Sequence, residues 1–253
     1  MEYYNYIIAF FAALAAGFVN AIAGGGTLIT FPVLVALGIP PVAANITNTI
    51  ALCPGYFGGT YAQRKDFLSQ KTHLWFVIPS AIIGGICGGV LLLCTSENTF
   101  RIFIPYLILT ATIILALQKI LKNYISKRKP INTSKKSSYF LIIIFVFFSS
   151  IYGGYFGAGL GVILMAIFGL IFNDSLIRIN ALKQATSFCI NVTAAIYFCF
   201  SGLVNWPITC TMLIAALCGG TLGGKLVNKI NPEILRIIII TAGIIISMLF
   251  FLK

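Results

Sequence analysis

Hydrophobic and polar positions alternate along this chain on the scale of whole helices. Eight apolar runs stand out: Tyr4–Ala23, Val42–Ala62, Leu74–Cys94, Phe103–Leu121, Tyr139–Tyr155, Thr186–Leu203, Ile208–Leu226 and Ile234–Leu252. A helix needs about 20 apolar residues to cross a hydrocarbon core roughly 30 Å thick. The pattern therefore predicts an all-α polytopic membrane protein. Two places interrupt it. AGFVNAIAGGGTLITFPVL, Ala16 to Leu34, breaks at Gly24, Gly25 and Gly26, and a second glycine cluster spans Gly157–Gly161.

The breaks belong to an internal repeat. At an offset of 135 residues, Gly24 and Gly26 fall on Gly159 and Gly161, and Asn45 falls on Asn180. Gly84, Gly85, Gly88 and Gly89 fall on Gly219, Gly220, Gly223 and Gly224, and Arg101 falls on Arg236. Repeats come before any other fold assignment. The chain reads as a first membrane repeat, residues 1–121, a basic cytoplasmic linker, residues 122–138, and a second repeat, residues 139–253. Each repeat holds about four hydrophobic segments and opens with a glycine-broken segment.

Composition agrees with the pattern: 59% of residues are hydrophobic and 9% are charged. The net charge of +12 does not indicate nucleic acid, because the basic residues sit between apolar runs, as in cytoplasmic loops. If each broken segment returns to its own side as a re-entrant hairpin, the repeats are inverted. The 17 Lys and Arg then divide 15 inside to 2 outside. If each broken segment crosses once, the repeats are parallel and the split falls to 11 and 6. The positive-inside rule favours inversion. The first run has no basic n-region and no cleavage site, so it is not expected to be a signal peptide. The seven cysteines form no C-x-x-C pair and read as small buried hydrophobes.

Inverted repeats with broken helices are a transporter's architecture, in which two halves rock about a central site. Glycine in a helix interior costs about 1 kcal/mol against alanine, and an opened backbone in lipid needs partners. A break suits a polar cavity, where the N–H groups of the following helix can face an anion. Candidate contacts at the breaks are Asn20, Gly24, Gly25, Gly26, Thr27, Gly159 and Gly161. The competing reading of glycine clusters, close helix packing, is preferred for GGICGG (Gly84–Gly89) and GGTLGG (Gly219–Gly224).

A polar helix follows each break. Asn45, Asn48 and Thr49 share one face, and so do Asn180, Lys183, Gln184, Ser187 and Asn191. Polar side chains inside spans tend to face the bundle interior. Lys183 is the sharpest candidate for neutralising an anion. The alternative is a helix-end lysine snorkelling to the headgroups. His73 lacks metal partners, and Trp75 and Trp206 sit where interfacial aromatics do. The five acids, Glu2, Asp66, Glu97, Asp174 and Glu233, all lie near segment ends, which argues against a carboxylate proton relay. No phosphate-binding loop motif occurs, and no nucleophile–base constellation suggests an enzyme. No cofactor or metal is expected.

AGFVNAIAGGGTLITFPVLVALGIPPVAANITNT closely resembles the first-repeat signature of the sulfite exporter TauE/SafE family, the TSUP permeases. GLVNWP, Gly202 to Pro207, and GGTLGGKL, Gly219 to Leu226, resemble its second-repeat ending. The likeness is greatest to the YfcA-like branch, which carries Thr-Asn-Lys in the first polar helix. Here that reads Thr47-Asn48-Thr49, while the second-repeat lysine is kept as Lys183. The resemblance implies a multi-pass permease of the plasma membrane, in a bacterial or archaeal inner membrane. Its partners would be a small anion, often a sulfur oxyanion or organosulfonate such as sulfite or sulfoacetate, and the bilayer; a homo-oligomer is left open. The readings kept beside it are an anion channel-like pathway and a permease for a non-sulfur organic anion.

Overall fold

The computed structural model describes residues 3–68, 70–127, 135–172, 174–227, 229–230 and 232–252. These residues form eleven helices and no strand. They are α1 (Tyr3–Ile22), α2 (Thr27–Ala36), α3 (Pro41–Ala62), α4 (Arg64–Leu68), α5 (Lys71–Leu93) and α6 (Glu97–Lys127). After them come α7 (Lys135–Tyr155), α8 (Leu160–Ile171), α9 (Leu176–Cys199), α10 (Trp206–Leu226) and α11 (Pro232–Phe251). Three helix starts recur at the 135-residue offset: Pro41 and Leu176, Lys71 and Trp206, Glu97 and Pro232.

Among the described residues, five helices are long and apolar enough to cross a membrane: Tyr3–Ile22, His73–Leu93, Glu97–Ile120, Trp206–Leu226 and Glu233–Phe251. The protein is an all-α, multi-pass membrane protein. The two polar helices, α3 and α9, are just as long but lie inside the bundle, where neighbouring helices cover their amides and hydroxyls. This corrects one expected boundary. The run Thr186–Leu203 is the apolar half of a helix that begins ten residues earlier, at Leu176, and ends at Cys199. The polar stripe from Asn180 to Ser187 is helical and buried inside the bundle. The expected linker is also largely helical: α6 continues to Lys127 and α7 begins at Lys135. Residues 128–134, like Glu2 and Lys253, lie outside the described residues.

The GG-x-x-GG blocks hold the bundle together. A Cβ added to Gly88 would strike the Ile151 carbonyl of α7, and one on Gly85 would stand 2.9 Å from the Ile190 carbonyl of α9. On α10, Gly219 lies against the Leu14 carbonyl of α1, and Gly220 against the Gly55 carbonyl of α3. In each block one glycine lets the broken helix of the other half approach, and its neighbour admits the polar helix. The packing is therefore exchanged: α5 lies on α7 and α9, while α10 lies on α1 and α3. Helix α3 meets α9 between these two groups, and α6 pairs with α11.

The cysteines correct the expectation of burial. All seven are free, and only Cys53 and Cys189 are even partly covered; Cys87, Cys94, Cys199, Cys210 and Cys218 are exposed on the bundle surface. A thiol facing acyl chains needs no protein cover, because lipid is as apolar as a core. Reductant is expected to leave the melting temperature of the purified protein unchanged. A drop on adding dithiothreitol would reveal a bridge that these positions do not form.

Candidate functional site

At the first break, α1 ends when the amides of Ala23 and Gly24 both turn to the Val19 carbonyl, at 2.8 and 2.9 Å. Gly24 and Gly25 adopt φ of +84° and +91°. Any other residue there would cost about 1–2 kcal/mol. The third glycine has a different reason. A Cβ on Gly26 would run into the Ala16 carbonyl and lie 2.7 Å from the Asn20 amide. The chain doubles back, so α2 returns along α1. Asn20 fixes the turn by accepting the Gly26 N–H at its Oδ1, 2.7 Å away.

The second break is built alike. The amides of Phe156 and Gly157 both turn to the Tyr152 carbonyl, and Gly157 and Gly159 take φ of +73° and +75°. Tyr152 donates its hydroxyl to the Ala158 carbonyl at 2.6 Å.

The two breaks touch. A Cβ on Gly24 would stand 3.5 Å from the Gly161 Cα, and one on Gly161 would lie 3.4 Å from the Lys183 Cδ. Lys183 is therefore packed where the breaks meet. It is 1% exposed, and its Nζ donates to the Asn20 carbonyl at 3.2 Å. This is not a snorkelling lysine. Among the described residues no carboxylate pairs with it. Lys119 pairs with Glu233, Arg178 with Asp174, and Glu97 accepts the Val42 amide at the start of α3.

The last carbonyls of α1 have lost their helical partners, and side chains replace them. Asn180 Nδ2 donates to Ala21 at 3.2 Å and also to Gln63 Oε1 at 2.8 Å. Gln118 Nε2 donates to Ala23 at 3.2 Å. At the other break, Asn45 Nδ2 donates to the Tyr155 carbonyl at 2.7 Å. Each polar helix thus caps the broken helix of the opposite half.

The expected site residues separate into groups. Asn20, Gly24, Gly26, Gly161, Asn180 and Lys183 converge at the first break. Asn45 serves the second break. Asn48 accepts the Thr30 hydroxyl from α2, so those two hold α2 to α3. Thr49 spends its hydroxyl on the Asn45 carbonyl within its own helix. Gly25 and Gly159 face α6, against Leu115 and Ala111. Thr27 is buried at the start of α2. Gln184 and Ser187 are buried, and Gln184 Oε1, Gln184 Nε2 and Ser187 Oγ have no hydrogen-bond partner. The backbone contribution is smaller than expected, because Gly24, Gly26 and Val162 already use their amides within the turns. Gln63 and Gln118 were missed. The signal for Gln118 was available: it is the one amide in the apolar run Phe103–Leu121.

The sequence profile described as sulfite exporter TauE/SafE matches residues 9–250. The chain belongs to that family. It is a family of membrane transporters. A probable membrane transporter protein of Haemophilus influenzae is 27% identical over 231 residues, covering 90% of this chain and 88% of that protein. The probable membrane transporter protein YfcA of Escherichia coli K12 is 26% identical over 244 residues, covering 95% and 87%. A probable membrane transporter protein, ORF9, of a Sinorhizobium species is 25% identical over 240 residues, covering 93% and 88%. No solved structure matches.

Proposed function

We propose that the protein is a secondary transporter that exports a small anion, a sulfur oxyanion or organosulfonate such as sulfite or sulfoacetate. Transport proceeds by alternating access, with two inverted halves rocking about the point where the glycine breaks meet. One observation carries the reading: Lys183 is a buried amine with only a neutral carbonyl for company, seated against both breaks. A buried charge without a counter-ion is costly. An anion entering beside Lys183 offsets that cost. The sulfur chemistry comes from the family description.

The course of the two polar helices supports inversion: Gln63 meets Asn180, Gly59 meets Gln184 and Phe57 meets Phe188, so the equivalent helices α3 and α9 run antiparallel. The closed centre favours a carrier over an open pore.

The test is flux through proteoliposomes containing the purified protein, with labelled sulfite, sulfate, thiosulfate, sulfoacetate and taurine. Saturable movement of at least one sulfur anion is expected. Movement of none would remove the sulfur assignment. Linear, unsaturable flux would instead indicate a channel.

A further inference from the structure

We propose that the site beside Lys183 takes a monoanion that carries its own hydrogen-bond donor, a hydroxyl or an N–H group. The inference rests on the anion reading and narrows it by charge and by hydrogen-bond inventory: hydrogensulfite, a monoanion with its own proton, stays within the class, whereas sulfite and fully ionised sulfoacetate, dianions without a donor, fall outside it.

The charge argument is short. Asn180, Lys183, Gln184 and Ser187 stand at i, i+3, i+4 and i+7 on one face of α9, each at most 4% exposed. Lys183 is the one group among them that can carry a charge. When it is protonated beside a bound anion, a monoanion balances it. A dianion would leave a net negative charge in a dry, low-dielectric place, which is as costly as leaving the lysine alone.

The inventory points further. The atom of Asn180 that faces the Ala21 carbonyl must be its nitrogen, since a carbonyl only accepts. That nitrogen spends both protons, on Ala21 and on Gln63 Oε1. Asn180 Oδ1 is left buried without a donor. Gln184 is wholly buried with both ends of its amide unpartnered, and Ser187 Oγ is unpartnered one turn away. The Gln184 N–H groups and the Ser187 O–H suit the anion's oxygens. Asn180 Oδ1 and Gln184 Oε1 can only accept, and the protein offers them nothing. Native proteins rarely leave such groups unmet. An anion that only accepts hydrogen bonds cannot meet them, whereas one bearing O–H or N–H can.

The experiment uses probes matched in shape. Binding of 2-hydroxyethanesulfonate is compared with that of propane-1-sulfonate, and binding of lactate with that of 2-methylpropanoate. In each pair a hydroxyl is exchanged for a methyl. Sulfate serves as the dianion, and affinities are read by calorimetry on the purified protein. The hydroxylated member of each pair is expected to bind about tenfold or more tightly, since sites built to bond a hydroxyl reject analogues lacking it. Sulfate is expected to be weaker than 2-hydroxyethanesulfonate.

Gln184→Met supplies an independent readout. It removes an amide that has no partner in the empty protein while keeping the volume that lies over Gly59. The variant is expected to lose about tenfold in 2-hydroxyethanesulfonate affinity, while the ligand-free protein melts roughly 2–4 °C higher. Equal binding within both pairs, or tighter binding of sulfate, overturns this inference and leaves the anion reading standing. Failure of all five probes while a sulfur anion still moves saturably in proteoliposomes overturns this inference alone; failure in both experiments overturns the anion reading as well. A lower melting temperature for Gln184→Met would make Gln184 a structural partner and also overturn the inference.

Discussion

Replacing Lys183 with alanine is expected to lower saturable anion flux by roughly 30-fold to several thousand-fold, the equivalent of about 2–5 kcal/mol for losing one partner of a buried charge pair. Stability should change far less. The Asn20 carbonyl loses a donor worth about 1 kcal/mol, but the protein no longer buries an amine whose charged form has no counter-ion. These effects oppose each other, so the melting temperature should shift little while transport collapses. Lys183→Arg keeps the charge and should recover only part of the flux. The Lys183 stem packs against Gly161, leaving little room for a wider guanidinium. Unchanged flux in Lys183→Ala, with the protein monodisperse, would show that the lysine does not contact the substrate. The site would then rest on the amides of Asn180 and Gln184.

The largest effect on folding is expected at the interface of α10 with α3. Gly220→Val places three carbons where a single added Cβ already meets the Gly55 carbonyl, with the Gly55 carbonyl carbon 2.6 Å and its Cα 2.7 Å away. The obstacle is backbone, which no rotamer change moves. Overpacking costs about 1–3 kcal/mol where side chains can give, and more where they cannot. A loss of about 3 kcal/mol or more should appear as a much lower melting temperature or as failure to purify a monodisperse protein. Gly38→Ala is the matched control. Nothing lies within 4 Å of the added Cβ, so only its φ of +87° is penalised, at about 1–2 kcal/mol. If Gly220→Val melts like the parent, the close approach of the two helices is not what that glycine serves.

Several features of the site were legible because they are local or periodic. The glycine breaks announce themselves in an apolar context, and three helix starts recur at the same 135-residue offset that aligns the glycine blocks. The polar faces of α3 and α9 follow from spacing alone. Distance along the chain hid the rest. Gln63 and Gln118 lie well apart from Asn180 and Ala23 in sequence and meet them only through packing. Thr49 shares a face with Asn45, yet its hydroxyl turns to its own helix. Spacing assigns a side chain to a face but does not choose between a partner across the interface and a carbonyl one turn back.

By itself, the sequence determined the class of protein, the two broken helices, the two polar helices and the presence of a lysine on the second of them. Hydropathy, glycine and helical periodicity are properties of neighbouring residues, and a single chain displays them. Only the tertiary structure decided that the breaks touch at Gly24 and Gly161, that each polar helix caps the broken helix of the opposite half, and that Lys183 is sealed from solvent. Those contacts join residues more than a hundred positions apart. They exist because glycine pairs on α5 and α10 let backbones from the two halves approach closely enough to place donors on the orphaned carbonyls.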